Sequence, residues 1–473
     1  MPGTLVIFGA SGDLAGRKLF PALCHLFRRG LLHEETRIVG CGRTAFTDDS
    51  FRDRLRGALQ GGCAAGGRFL ERVFYQTLHY DVPGDYVALS RRLEALERGA
   101  EFSAGRTIYL AMPAALYPPI LAELAAAGLL TEPGDGRWRH VVLEKPFGGD
   151  LESARELDRF LHRILREDQI YRIDHYLGKE TVQNIMMLRF ANLIFEPLWN
   201  ARYVDHVQLT VAETLGVGGR AGYYDRTGQL RDMFQNHMLE MLALAAMERP
   251  ADFSPDAVRD EKVRLIGAIR PFDRETLADV IVCGQYDGYC REPGVAPDST
   301  VETYVAASLR IDNDRWRGVP FFLRTGKKLA ARRSEIAIVF KPVSRSIFAP
   351  VKADEMQQDT LVLRVQPDEG MELTIQAKQP GPKLCMGGLT LDFHYADLPG
   401  GEFFEAYERL LLDAMLGDQT LFLRSDVIDA SWRLLTPVLE RRETLPLVRY
   451  APGSQGPAEA ERLTGTRGWR AIR

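Results

Sequence analysis

The chain has 473 residues, of which 45% are hydrophobic and 26% are charged, a composition typical of a globular protein with its own core. Its 60 lysines and arginines stand against 64 aspartates and glutamates, which gives a formal net charge of -4 and disfavours a nucleic-acid-binding protein. The six cysteines form no C-x-x-C pair, and no uninterrupted apolar run approaches the ~20 residues of a membrane span. We therefore expect a cytoplasmic protein with no zinc site, no disulfide framework and no membrane partner.

The first third of the chain alternates between short apolar segments and segments with helical spacing. Strands are predicted at 5–8, 37–41, 73–78, 107–111 and 139–143, and helices at about 19–27, 49–59, 86–96, 114–127 and 151–165. Strands that alternate with helices favour a parallel sheet with helices on both faces. Residues 1–173 are therefore predicted to form a Rossmann-like α/β domain that binds a dinucleotide.

The pattern changes after about residue 173. A helix at 179–189 is followed by predicted strands at 204–213, 303–311, 320–323, 335–340, 359–366 and 371–378, and then by helices at 404–415 and 426–440. The tetrapeptide Pro367-Asp368-Glu369-Gly370 predicts a hairpin turn between the last two strands. Residues 174–473 are predicted to form an α+β domain with a large, mostly antiparallel sheet, which binds the substrate and forms oligomers.

The loop between the first strand and the first helix is a candidate phosphate-binding site. It reads Gly9-Ala10-Ser11-Gly12-Asp13-Leu14-Ala15. Its glycines would let backbone N–H groups approach a pyrophosphate, and the start of the following helix would add a favourable dipole. The spacing is G-x-x-G-x-x-A and not G-x-G-x-x-G, so a tight turn without a ligand is an equal alternative on these residues alone.

Arg43 bears on which nucleotide such a loop would hold. The second predicted strand of an NAD-binding domain usually ends in a carboxylate that binds the ribose 2′-hydroxyl. Here the segment Ile38–Thr44 contains Arg43 and no carboxylate. An arginine at this position favours a 2′-phosphate, and therefore NADP, through a charge-assisted contact. The alternative is a solvated surface arginine.

Two clusters in the centre of the chain carry candidate substrate-binding groups. Lys145, in Glu144-Lys145-Pro146, follows the fifth predicted strand, where α/β sheets open their ligand crevice. Taken in isolation, it is more simply an ordinary exposed lysine before a loop. The segment Asp174–Lys179 gathers a carboxylate and three groups that can donate to a phosphate: His175, Tyr176 and Lys179. Asp174 would repel a phosphate, so it needs a cationic or N–H partner such as a histidine.

His237 is a candidate general base. Four residues of its segment share one face at helical spacing: Met233, His237, Met241 and Leu244. A histidine on such an apolar face is alternatively an ordinary core residue. A partnership with Asp174 would favour the catalytic interpretation, because a carboxylate that orients an imidazole makes it a better base. Further along, six basic residues within 323–333, including Lys327 and Arg332, indicate anion recognition or a solvated surface.

Eight segments in this order strongly resemble those of the glucose-6-phosphate dehydrogenase family. They are GASGDLA, EKPFG, RIDHYLGKE, RDMFQNHMLEML, FFLRTGKKL, LVLRVQP, AYERLLLDAMLGD and YAPGSQGPAEAERL, and they cover almost the whole chain. The resemblance implies oxidation of β-D-glucose 6-phosphate by NADP+ to 6-phosphoglucono-1,5-lactone, the entry step of the oxidative pentose phosphate pathway. It also implies a homodimer or homotetramer, a reaction that needs no metal, and a cis bond before Pro146.

The resemblance assigns roles to individual residues. His237 is implied to be the general base, and Asp174 to orient it. The substrate-binding residues that it implies are His175, Tyr176, Lys179, Glu213, Asp232, Lys327, Arg332 and Lys145. The cofactor-binding residues that it implies are Gly9, Ala10, Ser11, Gly12, Asp13, Leu14, Lys18, Arg43, Tyr117 and Lys145. Gly16 departs from the family pattern, which usually has lysine or arginine there.

Two alternatives to this interpretation are a related dehydrogenase and a protein without catalytic activity. The first would act on another sugar or sugar phosphate, or use NAD+ as well as NADP+, although the phosphate-binding residues disfavour an unphosphorylated substrate. The second would be a silent NADPH-binding regulator. Retention of both Asp174 and His237 argues against a regulator, since a sensor needs neither.

Overall fold

The computed structural model describes residues 3–59, 66–98, 105–348, 356–382, 385–397 and 404–473. The chain divides into two compact units. Unit 1 contains residues 1–179, 252–259 and 403–429, and unit 2 contains residues 180–251, 260–402 and 430–473. Each unit is discontinuous in sequence, whereas the sequence suggested a single boundary at 173/174, and that boundary stays a prediction.

The described strands are β1 (Gly3–Phe8), β2 (Arg37–Gly42), β3 (Val73–Thr77), β4 (Gly105–Leu110), β5 (Arg139–Leu143), β6 (Ile170–Ile173), β7 (Val204–Ala212), β8 (Ile281–Tyr286), β9 (Tyr304–Arg310), β10 (Pro320–Gly326), β11 (Arg333–Phe340), β12 (Thr360–Gln366), β13 (Gly370–Lys378), β14 (Met386–His394), β15 (Phe422–Leu423) and β16 (Leu447–Tyr450).

The described α-helices are α1 (Phe20–Arg28), α2 (Asp48–Leu59), α3 (Gly66–Leu70), α4 (Pro83–Glu97), α5 (Tyr117–Ala126), α6 (Leu151–His162), α7 (Glu180–Ala191), α8 (Ala221–Gln229), α9 (Leu239–Ala246), α10 (Pro255–Gly267), α11 (Leu277–Val280), α12 (Ala406–Leu416) and α13 (Ser425–Glu440). Two π-helical segments, Ala15–Leu19 and Leu230–Met238, lead directly into α1 and α9. None of the described helices combines the length and the apolar character that a membrane crossing requires.

Unit 1 is built on a seven-stranded sheet with the order β15-β6-β5-β4-β1-β2-β3. All of its strand pairs are parallel except β15 with β6. The central strand β1 is buried along its whole length, as expected of a parallel strand with both faces covered. This sheet confirms the predicted Rossmann-like fold, and it brings the carboxyl ends of β1, β2, β4, β5 and β6 to one edge.

Unit 2 is built on a nine-stranded sheet with the order β14-β13-β12-β11-β7-β10-β9-β8-β16. Only β7 with β10 and β8 with β16 are parallel, so the sheet is mostly antiparallel, as predicted. The predicted hairpin is present, with Thr360 of β12 opposite Thr374 of β13.

Cys24 on α1 is disulfide-bonded, which the sequence argument against a disulfide framework did not anticipate. The other described cysteines are free thiols: Cys41, Cys283, Cys290 and Cys385.

Candidate active site

The loop after β1 requires glycine at its first position. Gly9 has a φ of 76°, and a Cβ built on it would lie 2.4 Å from the carbonyl oxygen of Ala111. The loop then turns back on itself, because the N–H of Gly12 donates to the carbonyl of Gly9 at 2.9 Å. Ala10 is buried and donates from its N–H to the carbonyl of Cys41 at 3.1 Å, which ties the loop to the end of β2.

The rest of the loop faces solvent and is surrounded by charged groups. Gly12 and Asp13 are exposed, and Asp13 is ion-paired with Arg17 one helical turn later at 2.5 Å. Lys18 is half-exposed and lies 3.1 Å from the carboxylate of Glu405 in the same unit. Gly16 differs from Gly9, since a Cβ built on it meets nothing within 4 Å. The structure therefore gives no steric reason for glycine at position 16.

Arg43 follows β2 directly, at the same carboxyl edge of the sheet as the loop. Its side chain is exposed, and its guanidinium lies 5.7 Å from the centre of the Tyr80 ring. A guanidinium stacked on an aromatic face keeps its outward N–H groups available to a planar or tetrahedral anion. Arg43 is thus positioned to bind an anion beside the loop.

Tyr117 contacts the peptide of Glu144. It is fully buried on α5, and its hydroxyl donates to the carbonyl of Glu144 at 2.8 Å and accepts from the N–H of Glu144 at 3.1 Å. The next peptide bond, Lys145–Pro146, is cis. Tyr117 therefore fixes the backbone immediately before Lys145.

The side chain of Glu144 is partly buried, at the carboxyl end of β5. Its carboxylate accepts a hydrogen bond from the hydroxyl of Tyr109 at 2.5 Å and another from Tyr407. Burial raises the pKa of Glu144, and the two phenolic hydrogen bonds oppose that rise. The ring of Tyr407 in turn lies parallel to the imidazole of His175, with the ring centres 6.4 Å apart.

The segment after β6 folds as a turn around Asp174. Asp174 is 1% exposed, and its Oδ1 accepts from the N–H of Tyr176 at 2.9 Å, while its carbonyl accepts from the N–H of Leu177 at 3.0 Å. Gly178 is required at the end of this turn, because a Cβ there would lie 2.6 Å from the carbonyl oxygen of Ala406. The carboxylate thus orders the backbone that carries its neighbours.

The three predicted phosphate-binding side chains lie together on this turn. The rings of His175 and Tyr176 meet edge to face at 5.2 Å, and the ammonium of Lys179 lies 4.9 Å from the Tyr176 ring. Tyr176 is buried, while His175 and Lys179 are partly exposed. Two nitrogen donors and a phenol on one turn are suited to the oxygens of a phosphate group.

In unit 2, Glu213 and Lys327 form an ion pair. They follow the parallel strands β7 and β10, which end at the same edge, so the two side chains meet although they are 114 residues apart in sequence. The ammonium of Lys327 lies 2.7 Å from Oε2 of Glu213 and 5.0 Å from the ring centre of Tyr224. The pair supplies both a hydrogen-bond acceptor and a cation.

Asp232 and His237 lie on the π-helical segment Leu230–Met238 of unit 2, and both are buried, at 6% and 1% exposure. π-helical turns often occur at functional sites. Arg332, by contrast, is exposed, and its guanidinium donates to Oε1 of Gln366 at 3.3 Å. Asp174 and His237 belong to different units, and their partnership stays a prediction.

Comparison with known proteins identifies the family. A family model described as the NAD binding domain of glucose-6-phosphate dehydrogenase matches residues 6–184, and one described as its C-terminal domain matches residues 186–470. A glucose-6-phosphate 1-dehydrogenase from Aggregatibacter actinomycetemcomitans is 43% identical over 483 residues, covering 98% of this chain and 97% of that protein. The chain belongs to the glucose-6-phosphate dehydrogenase family.

Other relatives in the family match over the same length. The protein named glucose-6-phosphate 1-dehydrogenase 5, cytoplasmic, of Arabidopsis thaliana is 40% identical and is covered to 91%, with 98% of this chain matched. A solved structure described as glucose-6-phosphate dehydrogenase in complex with its substrate glucose-6-phosphate has a TM-score of 0.92 at 36% identity, covering 100% of this chain and 98% of that one. The glucose-6-phosphate 1-dehydrogenase of Mycobacterium avium has a TM-score of 0.86 at 38% identity, with 100% and 99% covered.

Membership of the glucose-6-phosphate dehydrogenase family was recognised from sequence, but two partly buried groups of the site were missed. Glu144 was quoted only as part of a motif around Lys145, and Tyr407 only as part of a C-terminal motif. Their contact joins residues 263 positions apart by the numbering. The one available signal was the carboxylate itself, since a glutamate that ends a buried strand of a parallel sheet needs a hydrogen-bond donor.

Proposed function

We propose that this chain oxidises C1 of β-D-glucose 6-phosphate to 6-phosphoglucono-1,5-lactone, with hydride transfer to NADP+. This is the first step of the oxidative pentose phosphate pathway. One observation carries the proposal: buried Asp174 orders a single turn on which His175, Tyr176 and Lys179 lie together.

The carboxyl edge of the unit 1 sheet fits an NADP molecule. The turn at Gly9 is too tight for any side chain, and Gly12 is exposed and has no side chain, so a pyrophosphate can approach the loop there. Arg43 binds the 2′-phosphate, which NAD+ lacks. Lys18, Lys145 and the peptide held by Tyr117 complete the cofactor-binding set, with Ala10, Ser11, Asp13 and Leu14 of the loop. When bound, NADP+ accepts the hydride from C1 of the sugar.

The substrate is held at its two ends. His175, Tyr176 and Lys179 bind the phosphate, and Lys327 and Arg332 add positive charge. Glu213, Asp232 and Lys145 bind sugar hydroxyls, which need both acceptors and donors. An unphosphorylated sugar would leave the cationic turn without its partner, so the phosphate contributes strongly to binding.

The chemistry requires one base. His237 removes the proton of the C1 hydroxyl while C1 loses its hydride, and the electron pair left on the oxygen forms the C1=O1 double bond of the lactone. Asp174 orients the imidazole and stabilises its protonated form, which makes His237 a better base. The substrate thereby loses one proton to His237 and one hydride, a two-electron oxidation.

A substrate panel tests the proposal. Purified protein is mixed with NADP+ or NAD+ and with glucose 6-phosphate, its hexose phosphate isomers or glucose, and NAD(P)H absorbance is followed. We expect turnover with glucose 6-phosphate and NADP+ far above that with glucose. Turnover with an isomer alone would assign another sugar phosphate dehydrogenase. NADPH binding without turnover on any hexose phosphate would contradict an enzymatic function.

We further propose that the protein is a cytoplasmic homodimer or homotetramer. β14 is an edge strand, and it exposes Leu389 and Leu391 by about half. An exposed edge strand with apolar side chains favours pairing with another chain. Light scattering of the purified protein measures the mass directly, and a monomer at micromolar concentration would contradict this part of the proposal.

A further inference from the structure

The helix that carries Asp232 and His237 begins at a backbone kink in unit 2. Gly228, near the end of α8, has φ 71° and ψ 171°, values that no α-helix contains. The chain therefore leaves the direction of α8 and starts a new helix, which runs as Leu230–Met238 and continues as α9. The direction of this new helix determines where Asp232 and His237 lie.

Glu302 makes two contacts with the first residues of the new helix. Its carbonyl accepts from the N–H of Gln229 at 3.1 Å, and its side-chain Oε1 accepts from the N–H of Leu230 at 3.0 Å. The first N–H groups of a helix have no partner within the helix, so these contacts act as a cap supplied from 72 residues away. A carboxylate at a helix N-terminus is also favoured by the helix dipole.

The kink and the cap depend on each other. A Cβ built on Gly228 would lie 2.4 Å from Oε1 of Glu302, so only glycine allows the carboxylate to approach. Glu302 is 5% exposed, and its Oε2 accepts from Nε of Arg442 at 2.9 Å. Arg442 also donates to the carbonyl of Thr300 at 2.9 Å, which fixes the carboxylate in this orientation.

The residue after Glu302, Thr303, contacts the backbone of Lys327, a predicted substrate-binding residue. The carbonyl of Thr303 accepts from the N–H of Lys327 at 2.9 Å. Gln229, at the start of the new helix, donates from its side chain to Oγ1 of Thr325 on β10 at 2.7 Å. Residues 302 and 303 therefore connect the start of the helix to the end of the strand before Lys327.

We propose that Glu302 is a positioning residue that sets the direction of the helix bearing Asp232 and His237. This inference rests on the proposed function, because it acts through His237 as the base. Glu302 itself does not react. Its carboxylate must reach the N–H of Leu230, so the length of the side chain matters more than its charge.

Two conservative variants of Glu302 distinguish the effect of its side-chain length from the effect of its charge. Glu302→Gln keeps the length and one oxygen acceptor for Leu230 but loses the ion pair with Arg442, while Glu302→Asp keeps the charge but is one methylene too short to reach Leu230. We expect Glu302→Asp to lower kcat about tenfold or more and Glu302→Gln to stay within about threefold, since a displacement of ~1 Å in a site can cost ~100-fold in rate. KM for NADP+ should change little in both variants, whereas KM for glucose 6-phosphate should rise together with the loss of kcat in Glu302→Asp, because the same helix carries Asp232.

Glu335→Asp is the matched control. Glu335 is also 5% exposed and is paired with an arginine, Arg470, at 3.2 Å, but it has no contact with this helix among the described residues. Its shortening should leave kcat within about twofold, because the reacting groups are not displaced. Wild-type kcat in Glu302→Asp, equal losses in the Asp and Gln variants, or a loss confined to KM would overturn the positioning role. A wild-type protein that does not oxidise glucose 6-phosphate would overturn the proposed function instead.

Discussion

At the scale of single residues, we propose that the choice between NADP+ and NAD+ depends most on Arg43. It is exposed beside the loop after β1, and its guanidinium stacks on Tyr80 at 5.7 Å. No carboxylate occupies the segment 38–44, so the ribose 2′-hydroxyl of NAD+ has no acceptor there of the usual kind. The 2′-phosphate of NADP+ has a cationic partner.

Replacing Arg43 by alanine is expected to weaken the binding of NADP+ much more than the binding of NAD+. A hydrogen bond to a charged group contributes about 1.5–3 kcal/mol, which corresponds to a roughly 10- to 100-fold rise in KM for NADP+. KM for NAD+ should change by less than about threefold, because NAD+ has no 2′-phosphate for the guanidinium to bind. Initial rates with both cofactors at saturating glucose 6-phosphate measure the two values.

Arg56→Ala is a suitable control for this experiment. Arg56 is a half-exposed arginine on α2 that pairs with Asp53, so its removal changes the net charge equally. Both KM values should stay close to those of the wild type. If Arg43→Ala weakened the binding of NADP+ and NAD+ equally, the proposal that Arg43 binds the 2′-phosphate would be refuted.

At the scale of elements, two of the three glycines in the β1–α1 connection, Gly9 and Gly16, have opposite steric requirements. Gly9→Ala introduces a Cβ 2.4 Å from the carbonyl of Ala111 at a positive φ, so it should destabilise the protein by at least about 1–2 kcal/mol and raise KM for NADP+. Gly16→Ala adds a methyl group in open space within the π-helical segment. It should leave stability unchanged or raise it by up to about 1 kcal/mol.

Thermal unfolding of both variants tests this contrast. A lower midpoint for Gly9→Ala than for Gly16→Ala is expected, and the NADP+ titration should follow the same order. Similar midpoints in the two variants would mean that the turn at Gly9 can move away from the carbonyl of Ala111 at little cost. That result would contradict the steric requirement for glycine at position 9.

Helix α8 is tied to the loop before β9 through Asp225. Partial burial raises the pKa of Asp225, but hydrogen bonds from Ser299, the N–H of Ala296 and Tyr289 outweigh this and hold the pKa below its usual value. A carboxyl with a depressed folded-state pKa stabilises the fold above its unfolded pKa of about 3.9. That stability is lost as the pH falls through the folded-state pKa.

Asp225→Asn should therefore lower the free energy of unfolding near neutral pH by about 1 kcal/mol after solvent screening. The variant should accordingly unfold at a lower temperature than the wild type. The difference should shrink as the pH falls below about 4, because the wild-type carboxyl is then protonated as well. Thermal midpoints of both proteins between about pH 7 and pH 3 measure it. A gap that widens in acid would contradict the depressed pKa.

At the scale of the whole molecule, the sequence predicted the two fold classes and the hairpin, but not every strand. β6 has four residues and precedes a charged motif, and β14 has a pair of glycines after its first residue, so neither gives a strong strand pattern. The π-helical segment before α9 was predicted only as a helical face. The segment starts after a kink at Gly228 and is capped by Glu302, a residue 72 positions away from Leu230 in sequence.

In the candidate site, too, residues that are close in sequence were easier to predict than contacts between distant segments. His175, Tyr176 and Lys179 are neighbours in sequence, so their common role was visible before the structure. Glu213 came from the family resemblance alone, whereas Lys327 also belonged to the basic cluster at 323–333. Their pairing has a physical reason in the structure, because parallel β7 and β10 end at one edge. The hydrogen bonds of Glu144 with Tyr109 and Tyr407 join distant segments and were not predictable from the sequence.

The central claim is that His237 is the base of a glucose 6-phosphate oxidation, and His237→Asn tests it most directly. Asparagine removes the basic nitrogen from a side chain of similar reach. The measurement is steady-state NADPH formation from glucose 6-phosphate, together with equilibrium binding of the substrate. We expect kcat to fall by about 100- to 10,000-fold with substrate affinity nearly unchanged, because general bases contribute in that range. Near-normal turnover in His237→Asn would contradict the account.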